Sequence, residues 1–175
     1  MDIKANRKIE EVLYEYYRKK KRIDSLKSKL IRIDNRIERL RKDIKECNVE
    51  LDNPLKAIDY SREYVKSNSI VSSIERELDM AVDRIMRELE LNLKEKYKVK
   101  GKIMNLEKQI ENTEALLQKL NEEELRIIEL RYNKELSYRQ MEEELFMARS
   151  TLQRRKDKII RSLVYETNKM GKYGG

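Results

Sequence analysis

From Ile23 onward, apolar residues recur at alternating intervals of three and four: Leu26, Leu30, Ile33, Ile37, Leu40, Ile44, Cys47 and Leu51. Ile9, Val12 and Tyr16 precede them in the same register. A seam of this period predicts one long amphipathic helix over about residues 3–51, whose stripe needs a partner to cover it. Asp52-Asn53-Pro54 ends the pattern, because proline lacks the amide donor and clashes with the preceding turn. An irregular connector over 52–72 follows. A second seam then starts at Ile74, Leu78, Ala81, Ile85 and Leu89. It resumes at Ile103, Leu106, Ile110, Leu117 and Leu120, with Thr113 in register, and predicts a helix over 73–120. Between Leu93 and Lys102 it weakens around Gly101, where a phase shift or hinge is expected. At about 45 residues each, the two helices would be roughly 65–70 Å long. Their similar lengths favour a coiled-coil hairpin within one chain, with pairing of two chains into a homo-oligomer as the alternative.

The pattern changes after residue 120. Residues 121–163 divide into a helix, a short break, a second helix, a three-residue turn and a strongly basic third helix. Leu125, Ile128, Met141, Leu145 and Leu152 fall where three short helices would share a small core. Asn121 precedes three glutamates, so a side-chain cap and negative charge sit at the positive end of the first helix. Ser137 and Gln140 have the spacing of a capping box for the second. In the break Tyr132-Asn133-Lys134-Glu135, Asn133 is the residue best suited to a left-handed conformation. The whole is the layout of a helix-turn-helix, whose second motif helix lies in the DNA major groove.

At 100° per residue, with Leu152 turned inward, Ile159 and Leu163 share its face and Arg155 and Lys156 flank it. Ser150, Gln153, Arg154, Asp157, Lys158 and Arg161 lie opposite. Ser150, Gln153 and Arg154 stand in the first turns, which reach base edges, and Arg suits guanine as Gln suits adenine. Asp157 is expected to orient the Arg154 guanidinium. Arg149, Arg155, Lys156, Lys158 and Arg161 suit phosphates, as do Ser137, Tyr138 and Arg139 at the start of the preceding helix.

These residues carry a resemblance. Leu120, Glu124, Ile127, Ile128, Leu130, Arg131 and Tyr132, then Leu136, Ser137, Tyr138, Met141, Leu145, Arg149, Ser150, Thr151 and Leu152, follow the pattern of region 4 of bacterial sigma factors. Residues 57–69, AIDYSREYVKSNS, are similar to the linker of phage sigma-like regulators of the RinA and ArpU type, which place a helical segment before such a domain. The resemblance implies a phage or prophage transcription regulator that binds double-stranded DNA at promoters and contacts RNA polymerase. Two positions depart from the family pattern: Phe146 stands where a turn glycine is usual, and Ala148 where a capping serine is usual. Either the turn relaxes, or Ser150 caps the last helix one step later.

Composition narrows the alternatives. Charged residues make up 42% of the 175, with one proline and one phenylalanine, which suits long exposed helices rather than a thick core. The net charge of +8 is uneven: +7 over residues 1–48, −1 over 49–120, −4 over 121–148 and +6 over 149–175. Clustering of that kind is the footprint of phosphate contacts. The run Arg18-Lys19-Lys20-Lys21-Arg22 has a plain reading as solvated helix surface, with a secondary DNA or polymerase contact as the alternative. Tyr14, Tyr16 and Tyr17 are read as packing residues rather than a stacking platform.

No apolar run is long enough to span a membrane, and no signal-peptide core precedes the first helix, so a cytoplasmic protein is expected. The single Cys47 excludes an internal disulfide and is read as a small seam residue. With no histidine and no phosphate-loop glycines, neither an enzyme nor a metal or cofactor site is expected. The expected organisation is all-α: an elongated coiled-coil or helical-hairpin region over 1–120, a helix-turn-helix domain over 121–165 and a flexible tail over 166–175. A small-terminase-like DNA-packaging subunit and a structural coiled-coil adaptor remain as alternative functions.

Overall fold

The computed structural model describes residues 3–46, 48 and 68–172, with backbone alone at 68–74 and 170–172. Every element among the described residues is helical: α1 (Ile3–Lys45), α2 (Asn68–Leu117), α3 (Glu122–Ile128), a π-helical turn (Glu129–Asn133), α4 (Tyr138–Leu145) and α5 (Arg149–Lys172). None is long and apolar enough to cross a membrane. Cys47, the Pro54 break and the 57–69 resemblance fall outside the described residues. α2 begins five residues earlier than its apolar seam suggested.

The contacts gather into two compact units, Met1–Leu26 with Ile103–Gly175, and Lys27–Lys102. This grouping differs from the expected division at residue 120, because the first turns of α1 pack on the C-terminal helices.

In the unit Lys27–Lys102, Ile33, Ile37 and Leu40 of α1 are buried, as the seam required, together with Ala81 and Val99 of α2. Charged side chains stitch the two helices along the edges. Lys29 and Arg36, one heptad apart on α1, meet Glu95 and Glu88, one heptad apart on α2 in the opposite direction. Lys96 joins Asp34 at 2.6 Å. Leu78, expected on the seam, is 44% exposed. α2 is helical throughout the stretch around Gly101, where a phase shift or hinge was expected, and the two units divide just after it, between Lys102 and Ile103. Asn92, Lys96 and Val99 occupy the three-four positions where the apolar pattern had lapsed. A polar residue with an ion-pair partner can hold a seam position that hydropathy alone would miss.

In the other unit, Ile9, Leu13, Tyr16 and Tyr17 of α1 are buried, as are Ile103, Ile110, Leu116 and Leu117 of α2. Ile127, Ile128, Leu130, Tyr132, Met141, Leu152, Ile159, Ile160 and Leu163 complete this core. Leu13 and Tyr17 lie one position off the α1 seam, which gives this end of the helix a second buried face. Tyr14 stacks edge-on against Tyr132, with ring centroids 4.8 Å apart. The three N-terminal tyrosines are therefore packing residues, as expected.

Candidate nucleic-acid interface

Local chemistry sets each short helix. Asn121 caps α3 in a full capping box: its side chain accepts from the Glu124 amide at 2.9 Å, and the Glu124 carboxylate accepts from the Asn121 amide. The π turn follows, with the Lys134 amide donating to the Glu129 carbonyl at 3.0 Å. The left-handed residue that ends this segment is Glu135, at φ 57°, and not Asn133. Ser137 caps α4 in a second capping box with Gln140. Both caps lie where their spacing predicted.

Phe146 forms the turn into α5. It adopts φ 52° and ψ 37°, the left-handed conformation that usually selects glycine. The Phe146 side chain is 94% exposed and therefore gains no burial in return. α5 begins at Arg149, where the Ala148 carbonyl accepts from the Thr151 and Leu152 amides. Ser150 lies inside the first turn and does not take over the cap.

α5 is held by one apolar face. Leu152 is fully buried, and Ile159, Ile160 and Leu163 nearly so. At roughly 1.5–3 kcal/mol per buried aliphatic side chain, this face fixes the rotation of the helix. Ile160 was not foreseen on it. The opposite face leaves Arg149, Ser150, Gln153, Arg154, Lys158 and Arg161 exposed. Among the described residues, Arg149, Arg154 and Lys158 have no carboxylate partner, and Arg161 touches only the Asp157 backbone carbonyl, at 3.2 Å.

Three neighbours depart from expectation. Arg155 is ion-paired with Glu123 at the start of α3. Lys156 turns inward, with its side chain 13% exposed, and donates to Glu10 of α1 at 2.6 Å. Burial alone would lower the pKa of its ammonium group, but hydrogen bonds to Glu10 and Asp157 outweigh that and hold it above the usual lysine value. Asp157 meets Lys156 at 3.0 Å rather than orienting Arg154. Arg155 and Lys156, placed among the phosphate-binding residues by sequence, are therefore engaged inside the domain. Each lies at the edge of the apolar face, where a long side chain reaches a neighbouring helix as easily as solvent.

Glu10 is a participant the sequence did not indicate. It also accepts a 3.1 Å hydrogen bond from the Tyr132 hydroxyl. Burial first, and then the Glu10 charge and hydrogen bond, raise the Tyr132 phenol above the usual range. Tyr138 is half-buried, with the Arg131 guanidinium 5.1 Å above its ring. Arg131 also donates to the Leu136 carbonyl at 2.8 Å, which braces the approach to α4. Ser137 and Arg139 are exposed, and Arg139 makes a long 3.9 Å pair with Glu143. The rest of α4 is acidic on its surface, at Glu142, Glu143 and Glu144, so only its first turn suits a polyanion.

No family model, curated protein or solved structure matches the chain.

Proposed function

We propose that the chain is a sequence-specific double-stranded-DNA-binding transcription regulator in which α4 and α5 form the helix-turn-helix. The observation that carries this is the two-sidedness of α5. Its aliphatic face is sealed in the core, while Ser150, Gln153 and Arg154 stand outward in its first turns. Those three read base edges, with Arg154 suited to the O6 and N7 acceptors of guanine and Gln153 to adenine. Arg149, Lys158, Arg161 and Arg139 grip phosphates beside them, with Ser137 and Tyr138 at the backbone crossing of α4. Arg155 and Lys156 serve instead to fix the angle of α5 against α3 and α1.

The resemblance to sigma region 4 supports action at promoters with RNA polymerase as partner, and a phage or prophage origin. The opposed heptad steps of Lys29–Glu95 and Arg36–Glu88 support a coiled-coil hairpin for α1 and α2. The test is a footprint on DNA flanking the gene, with and without polymerase, alongside binding measured across salt concentrations. A protected site, and affinity that falls with salt at a logarithmic slope of about −4 for four or so engaged cations, is the expected result. Absence of any duplex binding at low salt would end the proposal.

A further inference from the structure

We propose that the basic run Arg18–Arg22 of α1 is a second phosphate-binding surface, which holds the backbone of the duplex that α5 reads. It rests on the DNA-binding function proposed above and extends the contact to a helix outside the helix-turn-helix. Glu10, Tyr14, Tyr17 and Lys21 recur at intervals of four, three and four, so they share one stripe of α1. Three of them touch the segment that leads toward α4. Glu10 meets the Tyr132 hydroxyl, Tyr14 meets the Tyr132 ring, and the Lys21 ammonium donates to the Asn133 carbonyl at 2.5 Å. Asn133 stands four residues before Ser137, the start of the α4 backbone crossing. The run is thereby fixed beside the phosphate-facing end of the motif.

Its charge is poorly compensated. Lys19 pairs with Glu15 at 3.2 Å, whereas Lys20 reaches the Tyr16 hydroxyl and Lys21 the Asn133 carbonyl. Arg18 and Arg22 are exposed and have no carboxylate partner among the described residues. Cations three and four apart on a helix repel one another, so such a run opposes the helix it sits on unless an external anion offsets it. A regularly charged polyanion next to α4 is the ligand of matching chemistry and spacing.

The test uses the full chain and a fluorescently labelled random-sequence duplex, titrated by anisotropy between roughly 50 and 200 mM salt. R18Q/R22Q removes two exposed charges with no internal partner, and circular dichroism checks that the helices persist. The expected result is a salt slope shallower by about two and affinity weaker by roughly tenfold at the higher salt. R18K/R22K, which keeps the charges, is expected to restore both. An unchanged slope in R18Q/R22Q, in a protein whose binding is still abolished by R149Q/R154Q, would overturn the second surface and leave α5 as the reader. Loss of affinity with an unchanged slope would also overturn it, as would selective loss of an acidic protein partner. If the unaltered chain bound no duplex, both proposals would fall together.

Discussion

Glu10 on the first helix accepts a 2.6 Å hydrogen bond from Lys156 on the last, 146 positions away along the chain. The same carboxylate oxygen accepts from Tyr132, so α1 is pinned to the π turn and to α5 at one point. Truncating Glu10 leaves a mostly buried ammonium with Asp157 alone. E10A is expected to destabilise the protein by about 1.5–3 kcal/mol, the usual cost of removing a charged hydrogen-bond partner. A denaturation midpoint equal to that of the unaltered protein would show the contact to be idle. Replacing both partners, as E10M/K156M, is expected to recover much of the loss, because no buried charge is then left unpaired.

Alkaline pH should loosen the same core. Burial, and then the Glu129 charge, push the Tyr17 phenol up to about 12, and the Tyr132 phenol and Lys156 ammonium are also raised. Each group keeps its proton in the folded state after the unfolded chain would have lost it. Their stabilisation is therefore complete below about pH 10 and is lost as pH rises through the folded values. For Tyr17 a rise from 10 to about 12 corresponds to about 3 kcal/mol. The thermal unfolding midpoint is expected to fall clearly between about pH 10 and pH 12, and Y17F should flatten part of that fall.

Phe146 sets up a substitution expected to stabilise. Its left-handed backbone costs a non-glycine residue roughly 1 kcal/mol, and its exposed side chain returns nothing from packing. F146G should raise stability by about 0.5–1 kcal/mol with DNA affinity unchanged, as checked by calorimetry and anisotropy. A loss of affinity would instead assign the exposed ring a contact of its own.

Gly101 offers the opposite exchange. It sits within helical α2, exposed, and an added Cβ would meet nothing within 4 Å. G101A is expected to gain about 1 kcal/mol by restricting the unfolded chain and favouring helix. Urea denaturation with an unchanged m-value would confirm the simple origin of the gain.

Base reading makes a separable demand. R154A is expected to lose about 1–3 kcal/mol of discrimination at one operator position, while unfolding stability stays within about 0.5 kcal/mol because the side chain is exposed. Binding competition against single-base operator variants distinguishes this from a uniform loss, which would make Arg154 a phosphate contact.

The rotation of α5, the Asn121 cap and the Ser137 capping box were legible in the sequence, because they rest on rules a few residues long. Leu152, Ile159 and Leu163 share a face through helical spacing alone, and Asn121 and Ser137 each meet a partner three residues on. Glu10, Leu13 and Tyr17 were not legible as parts of the same core. Their partners lie on other helices, more than a hundred residues away for Glu10, and no local period encodes such a meeting. Lys156 was misplaced for the same reason: its position on the helix was right, but the carboxylate that draws it inward belongs to α1. The Asn133 expectation failed because the π turn carries the helical path through that residue, which moves the left-handed position to Glu135.

One core closed by Leu13 near one end of the chain and Leu163 near the other has a consequence for biosynthesis. At 5–20 residues per second, about 8–30 s separate the emergence of these two leucines from the ribosome. Throughout that interval the nascent α1 carries Ile9, Leu13 and Tyr17 without their final cover. The unit that holds α5 thus cannot close until the helix carrying Leu163 has been made.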